Sequence, residues 1–176
     1  MKRTTRVKYA AAALAGTAVL AACGTGSGSG SSSVRDGSAT DIADIRWVPQ
    51  KVTVDGKDYV LPQGDQFRVD EAHVTFKPGA AEPDVAGGDS GGTVGCNGFG
   101  ADVEIDGDTV KVSDLASTKM GCPGPVQEFE ERFISVFRGT LKAAVEEHDG
   151  TRTLRLTSST GDSITLGEGS EETARP

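Results

Sequence analysis

Residues 91–125 read GGTVGCNGFGADVEIDGDTVKVSDLASTKMGCPGP, and this stretch decides the fold. Cys96 and Cys122 lie among glycines near its two ends, and the residues between them alternate around the tight-turn pair Asp106-Gly107. That pattern predicts a β-hairpin. A helix is predicted directly after Cys122 because Pro125 suits an early helical position, where its missing N–H costs nothing. We therefore expect one folded unit that is cross-linked by one disulfide.

The rest of the folded region is predicted to consist mostly of short strands. Turn signals such as Asp55-Gly56 and His148-Asp149-Gly150 recur every eight to twelve residues, which favours an antiparallel sheet or barrel. Residues 78–92 are rich in Gly, Pro and Asp and are predicted to form a long loop. The predicted strands are residues 45–48, 51–54, 58–61, 72–76, 103–105, 109–112, 141–146, 153–156 and 164–166.

One amphipathic helix is predicted at about residues 125–138. Val126, Phe129 and Phe133 recur at helical spacing and form one apolar stripe, and Gly139 provides a stop. We expect this stripe to pack over the open mouth of the sheet. The fold class is therefore mainly β (α+β), an antiparallel roll or partial barrel that one helix closes.

The N-terminus is typical of a processing signal. Residues 1–22 begin with four basic residues and continue with an apolar run of 14 residues, too short to span a bilayer as a permanent helix. Residues 20–23 read Leu-Ala-Ala-Cys and resemble the lipobox of bacterial lipoproteins, in which the peptide is cut before the cysteine and its thiol carries diacylglycerol. We expect lipidation of Cys23. The alternative is an ordinary secretory peptide that leaves Cys23 as a free thiol.

These features give an expected domain order and location. Residues 23–40 are the lipid anchor and a Gly/Ser-rich tether, residues 41–168 the domain, and residues 169–176 a disordered tail. Without the signal, 14 Lys and Arg face 26 Asp and Glu, a formal net charge of −12. So negative a surface disfavours nucleic acid as a partner. We expect a monomer that is lipid-anchored on the outer, extracytoplasmic face of the cell membrane.

One sequence motif is similar to the nucleophile motif of serine proteases, but the histidine and carboxylate that such a nucleophile needs are not found in a matching arrangement. Residues 88–92 spell GDSGG, as around the nucleophile of trypsin-like proteases, a nucleophile that needs a histidine base and an orienting carboxylate. The only histidine before Ser90 is His73, 17 residues upstream on a predicted strand. About 128 residues are too few for two β-barrels. We therefore assign no catalytic residues and expect the protein not to be an enzyme.

No metal or cofactor site is predicted either. Residues 104–108 suggest a calcium loop, but their glycine stands at the fourth position where an EF-hand needs it at the sixth. The glycines near Gly95 precede a strand, whereas a dinucleotide loop must open a helix. Zinc or copper would need more soft ligands than Cys96, Cys122, Met120 and two scattered histidines readily supply.

The two remaining cysteines are explained by the expected compartment. Once Cys23 is lipidated, Cys96 and Cys122 are an even pair outside the membrane, where disulfides persist. They stand 26 positions apart, and closing a loop of that size stabilises the fold by about 3–4 kcal/mol. A redox-active pair is the alternative, because Cys122 lies just ahead of a predicted helix.

Two motifs resemble the META domain, also called the heat-shock lipoprotein HslJ-like domain. The family shows a GCN motif, a segment of the type L-A-x-T-[RK]-M-x-C, a helix with a glutamate and aromatic residues, and an early tryptophan. The matching residues are Gly95, Cys96, Asn97, Phe99 and Gly100, then LASTKMGC at residues 115–122 with Thr118 and Met120, then Glu128, Phe129 and Phe133, and Trp47. The resemblance covers about residues 45–166, and residues 78–92 are longer than usual.

The resemblance implies a compact, lipocalin-like β-roll with one helix and a disulfide between the motif cysteines. It implies no established enzymatic reaction. The expected function is that of a non-enzymatic envelope protein, stress-related or binding other envelope proteins. The alternative is a binder of a small apolar or peptide ligand inside the roll.

Overall fold

The computed structural model describes residues 33–62, 71–79, 90–122 and 124–169. The predicted signal peptide, Cys23, the first part of the tether and residues 170–176 lie outside the described residues. The elements are β1 (Ser33–Asp36), α1 (Ala39–Ile42), β2 (Trp47–Val54), β3 (Lys57–Val60), β4 (His73–Thr75), β5 (Ser90–Thr93), β6 (Gly98–Asp106), β7 (Thr109–Ser117), α2 (Gly124–Val136), β8 (Gly139–His148), β9 (Thr151–Ser158) and β10 (Ser163–Glu168).

Eight of the described strands close an antiparallel barrel. Going round the ring, β2 pairs with β4, followed by β5, β6, β7, β8, β9 and β10, and β10 pairs again with β2. The predicted hairpins at Asp55-Gly56, Asp106-Gly107 and Asp149-Gly150 are all present. The mainly β, lipocalin-like fold with a helix is therefore confirmed, and the ring is complete rather than partial.

Strand β1 lies outside the ring and inside the region predicted to be tether. It pairs with residues 144–147 of β8, while β7 pairs with residues 139–142. β1 and the first residues of α1 therefore show that the predicted tether, residues 23–40, extends too far. All four residues of β1 are exposed, so their sequence shows no alternation that would predict a strand. The strand is held instead by backbone pairing with β8 and by an ion pair of 3.1 Å between Arg35 and Glu147.

Strand β5 lies in the predicted 78–92 loop, whose residues 80–89 are outside the described part. A Cβ atom on Gly92 would meet the carbonyl oxygen of His73 in β4, and one on Gly91 would meet that of Phe99 in β6. The glycines therefore allow two neighbouring strands to approach β5 closely. Sequence composition suggests a loop here because glycine disfavours a strand unless such an approach requires it.

The predicted strands 45–48 and 51–54 form one strand, β2. Pro49 has no N–H to contribute to a sheet, and the pairing register with β10 shifts between Thr165 and Leu166 at this point. The irregularity lets the chain continue through proline as a single strand.

The two helices lie at opposite ends of the barrel. α1 leads into β2 at the end where β1 begins, which we call the tether end. α2 joins the end of β7 to the start of β8 at the other end, which we call the motif end because Cys96 and Cys122 lie there. Within the described ranges, neither helix is long and apolar enough to cross a bilayer.

Aromatic side chains fill the barrel at the motif end. The predicted stripe of α2 is buried, as is Phe137 directly after it. The ring centroid of Phe99 lies 5.6 Å from those of Phe133 and Phe137, and Phe76 lies 6.0 Å from Phe137. Each such side chain contributes about 1.5–3 kcal/mol through burial. The helix therefore closes the barrel as the sequence predicted.

The tether end is closed by α1 and by Trp47. Ile42 and Trp47 are fully buried, and the Trp47 indole N–H donates to the Ile42 carbonyl oxygen at 3.0 Å. A tryptophan can be buried in this way because its only polar group has a partner.

Candidate functional site

The motif residues meet at the motif end, where β5 leads into β6 and β7 leads into α2. Cys96 and Cys122 form a disulfide with a Cα–Cα distance of 6.2 Å. The bond links the segment between β5 and β6 to the residues directly before α2. The predicted cross-link is therefore present, and it fastens the helix to the barrel wall.

Asn97 is the centre of the cluster. Its carboxamide oxygen accepts from the Thr118 hydroxyl at 2.9 Å and from the Met120 N–H at 2.7 Å. Its Nδ2 donates to Glu130 Oε1 at 2.6 Å and lies 3.3 Å from the Met120 carbonyl oxygen. The side chain is 5% exposed. Because this position needs both an acceptor and a donor, the carboxamide of asparagine fits it and a carboxylate does not.

Glu130 of α2 completes the network. Its Oε2 accepts from the backbone N–H of Asn97 at 2.8 Å, and its side chain is 9% exposed. The sequence match to the family includes Glu128, but Glu128 is exposed on the other side of the helix, and Glu130 is the glutamate that meets Asn97. A signal was available in the sequence, since Glu130 stands four residues after Val126 and three before Phe133, on the buried stripe.

The other motif positions serve the same cluster through backbone groups and, at Thr118, also through the side-chain hydroxyl. Gly95 has a φ of 119°, a conformation that L side chains rarely adopt. The Thr118 N–H donates to the Gly98 carbonyl oxygen at 3.0 Å, and its hydroxyl accepts from the Gly98 N–H at 3.2 Å. The Met120 side chain is 59% exposed, so the fold uses its main chain and leaves the thioether on the surface. Together these contacts join the two motifs.

Ser90 of the GDSGG run is a buried structural residue. Its hydroxyl accepts from the Lys77 N–H at 2.8 Å, and the side chain is 1% exposed. His73 pairs with Thr93 on the neighbouring strand, and its Nδ1 lies 2.8 Å from the Glu71 carbonyl oxygen. Strand alternation puts the Ser90 and His73 side chains on opposite faces of the sheet. The contact between serine and base that a nucleophile needs is therefore not made by these two residues.

The cluster also brings together three groups that can bind metals. Cys96 Sγ, Cys122 Sγ and a carboxylate oxygen of Glu130 lie within 4.8 Å of one another. Sequence reasoning missed this group because Glu130 was not recognised as buried beside the cysteines. In the disulfide form neither sulfur is a thiolate, so the group as it stands is no metal centre.

A shallow cleft lies beside the cluster, along β5, β6 and β7. Its volume is about 460 Å³ and it is wide open to solvent. Gly92, Gly98 and Gly100 form much of its lining, together with Phe99 and residues 116–118. Three of the seven lining residues are therefore glycines, which present only backbone, and Thr118 belongs both to the cleft and to the motif cluster.

Two of the acids whose pKa is lowered lie at the tether end, away from the motif cluster. The pKa of Glu168 is lowered, chiefly because Arg152 donates two hydrogen bonds to its carboxylate, at 2.7 and 2.5 Å. The pKa of Asp41 is also lowered, chiefly by a hydrogen bond from the Ser38 hydroxyl at 2.6 Å. Glu168 pairs with Trp47, so both acids belong to the tether end. The Asp41 carboxylate caps the start of α1, and the Glu168 carboxylate links β10 to β9.

Comparisons with known proteins agree with this geometry. The model of the META domain family matches residues 40–171. An NMR structure of a protein from Burkholderia xenovorans is similar, with a TM-score of 0.57 over 76% of this chain and 88% of that chain, at 18% identity. A likeness at that identity concerns the fold alone. Among curated proteins, none matches this chain.

Proposed function

The chain belongs to the META domain family, and on that basis we propose that it is an envelope-anchored, non-enzymatic lipoprotein. In this proposal it serves as a stress-related or protein-interaction module of the cell surface. The observation that carries the proposal is that Asn97 and Glu130 use their polar groups to hold the motif end together, so these groups have a structural role. The polar groups of Asn97 and Glu130 bond to each other and to the backbone. They build the motif end, and the exposed surface around them remains for a partner.

The packed interior favours a partner over an internal ligand. Phe76, Phe99, Phe133 and Phe137 contact one another where a ligand in the roll would have to lie. A small apolar ligand or peptide could enter there only by displacing these rings. Each displaced ring would lose about 1.5–3 kcal/mol of burial energy. The internal-ligand alternative is therefore the weaker proposal.

A lipid on Cys23 would orient the barrel. Ser33 begins β1 beside Glu147, at the tether end, and nine residues separate it from Cys23. A Gly/Ser-rich chain of that length spans about 15–18 Å on average. Lipidation would therefore keep the tether end near the membrane and direct the motif end, with Met120 and the cleft, away from it. Two acyl chains, at about 0.8 kcal/mol per buried CH₂, are enough for stable anchoring.

The anchor is tested by labelling with a clickable fatty acid. The full-length protein is expressed in a bacterial host, and the wild type is compared with Cys23→Ala for label and for membrane association. We expect the wild type to carry label and sediment with membranes, and the variant to do neither. A wild type that is unlabelled and released to the medium would overturn the lipoprotein proposal.

The interaction surface is tested by photo-crosslinking in the living cell. A photoreactive residue is introduced in place of Met120 at the motif end, and in a matched variant in place of Val34, which is 68% exposed at the tether end. We expect discrete adducts with envelope proteins from position 120 and none of them from position 34. Equal adduct patterns from the two positions would refute the motif end as the interaction face.

A further inference from the structure

The disulfide and Glu130 form a set of donors that could serve a second purpose. Cys96 and Glu130 are buried and Cys122 is half-buried, so solvent reaches the cluster from the Cys122 side. The two sulfurs and a Glu130 oxygen lie within 4.8 Å of one another. Ligands around a tetrahedral zinc ion are about 3.3–3.8 Å apart, given metal–ligand distances of about 2.0–2.3 Å. Small side-chain adjustments would therefore bring all three atoms to one ion.

The electrostatics of Glu130 favour a cation at this point. Its two carboxylate oxygens accept from Asn97 N and Nδ2, which are both neutral donors. No ion pair within the described ranges includes Glu130. A carboxylate that is removed from water without a cationic partner gains strongly from a metal ion nearby.

Asn97 holds the donors in position. Its Nδ2 donates to Glu130 Oε1 at 2.6 Å and lies 3.5 Å from Cys122 Sγ. Metal-binding carboxylates and thiolates in proteins are commonly oriented by such neighbouring hydrogen-bond donors. The side chain that joins the two motifs thus also faces two of the three candidate ligands.

We propose that the reduced form of this cluster binds one Zn²⁺ through the thiolates of Cys96 and Cys122 and the carboxylate of Glu130, with the fourth position open to water. Two sulfurs and one oxygen suit a borderline-soft ion that prefers tetrahedral geometry. The donor atoms do not depend on the envelope role, but in an extracytoplasmic location the site forms only where a thiol reductant opposes the oxidation that keeps disulfides closed.

The chemistry requires a reductant, which a thiol supplies. Two thiol molecules give two electrons and two protons, the bond between Cys96 and Cys122 breaks to leave two cysteine thiols, and the reductant becomes its own disulfide. Zn²⁺ binding then releases the two thiol protons. Disulfide and metal exclude each other, since the same sulfur electrons form either bond. In both states the residues before α2 stay linked to the barrel.

The test is a cadmium titration of the full-length protein after reduction with a phosphine in the absence of oxygen. Cd²⁺ bound by thiolates gives an ultraviolet charge-transfer band. We expect a band that saturates at one equivalent in the reduced wild type, is displaced by Zn²⁺, and is missing from the oxidised protein and from Cys96→Ala/Cys122→Ala. Zn²⁺ should also raise the melting temperature of the reduced protein.

A matched pair of variants on α2 identifies the third ligand. Glu130→Gln should weaken Cd²⁺ binding about tenfold or more, whereas Glu128→Gln, on the exposed side of the same helix, should bind like the wild type. Equal affinities of the two variants would overturn the assignment of Glu130. A folded, reduced wild type that shows no charge-transfer band overturns the whole proposal, whether or not Glu130→Gln folds.

Discussion

Replacing Glu130 by alanine tests whether the motif network stabilises the fold. The substitution removes the acceptor for the Asn97 N–H and one acceptor for Asn97 Nδ2. The matched control is Glu128→Ala, which has the same chemistry on the exposed side of the same helix. Helix propensity changes equally in both variants. Any difference between their free energies of unfolding therefore measures the contribution of the hydrogen bonds and the packing that Glu130 makes.

The expected loss follows from the contacts. An orphaned buried N–H costs about 1–3 kcal/mol, and the Nδ2 group loses less because the Met120 carbonyl oxygen is still within 3.3 Å. The Cγ methylene of Glu130, which alanine lacks, adds about 0.8 kcal/mol. Part of this is offset because the variant no longer buries a carboxylate. We therefore expect Glu130→Ala to lose about 2–4 kcal/mol, and Glu128→Ala to stay within about 0.5 kcal/mol.

Urea unfolding of both oxidised variants and of the wild type, followed by tryptophan fluorescence, measures these free energies through the single Trp47. A loss of this size lowers the melting temperature by roughly 6–15 °C for a domain of this length. Losses that are equal in the two variants, or a Glu130→Ala loss below about 0.5 kcal/mol, would refute the reasoning that the network stabilises the motif end.

Three further predictions concern the cross-link, the glycines and acid stability. Cys96→Ala/Cys122→Ala should fold but lose about 2–5 kcal/mol in urea unfolding, and an unchanged midpoint would contradict a structural role for the bond. Gly92→Ala should lose roughly 3 kcal/mol or more because its Cβ meets a carbonyl of β4. Gly98→Ala, whose Cβ has its nearest neighbour at 3.7 Å, should lose much less, and similar losses would show that strand approach is not the cause. The pKa of Glu168 is lowered from its ordinary value of 4.5, so its contribution to stability is present above that pH and lost as the pH falls below it. Glu168→Gln should therefore flatten the decline of stability in acid, and an unaltered pH profile would contradict this.

Much of the fold could be predicted because its signals are local. Turn pairs such as Asp149-Gly150 end one strand and start the next, with φ values of 49° and 76° that favour such residues. The stripe of α2 depends on spacing within about ten residues. In the motif cluster, the positions of Cys96 and Cys122 near element ends were also evident from flanking glycines and turn signals, whereas Asn97 was singled out by the resemblance to the META domain.

Other features depended on contacts between distant residues. The tether prediction covered β1 because its exposed residues carry no pattern, and only β8 makes it a strand. The loop prediction covered β5 because glycine usually disfavours strands, and only the close approach of β4 and β6 reverses that preference. In both cases backbone pairing, which is nearly independent of side-chain identity, outweighs local propensity.

The sequence by itself determined the mainly β class, the hairpins, the closing helix and the cysteine pair, because alternation, turn chemistry and apolar periodicity act over a few neighbouring residues. Only the tertiary structure decided that the strands close into a ring and that Glu130, not Glu128, meets the motif. Ring closure depends on hydrogen bonds between strands as far apart as β2 and β10. The choice of glutamate depends on which carboxylate α2 turns toward Asn97, 33 positions away along the chain, and such a contact exists only once the barrel has formed.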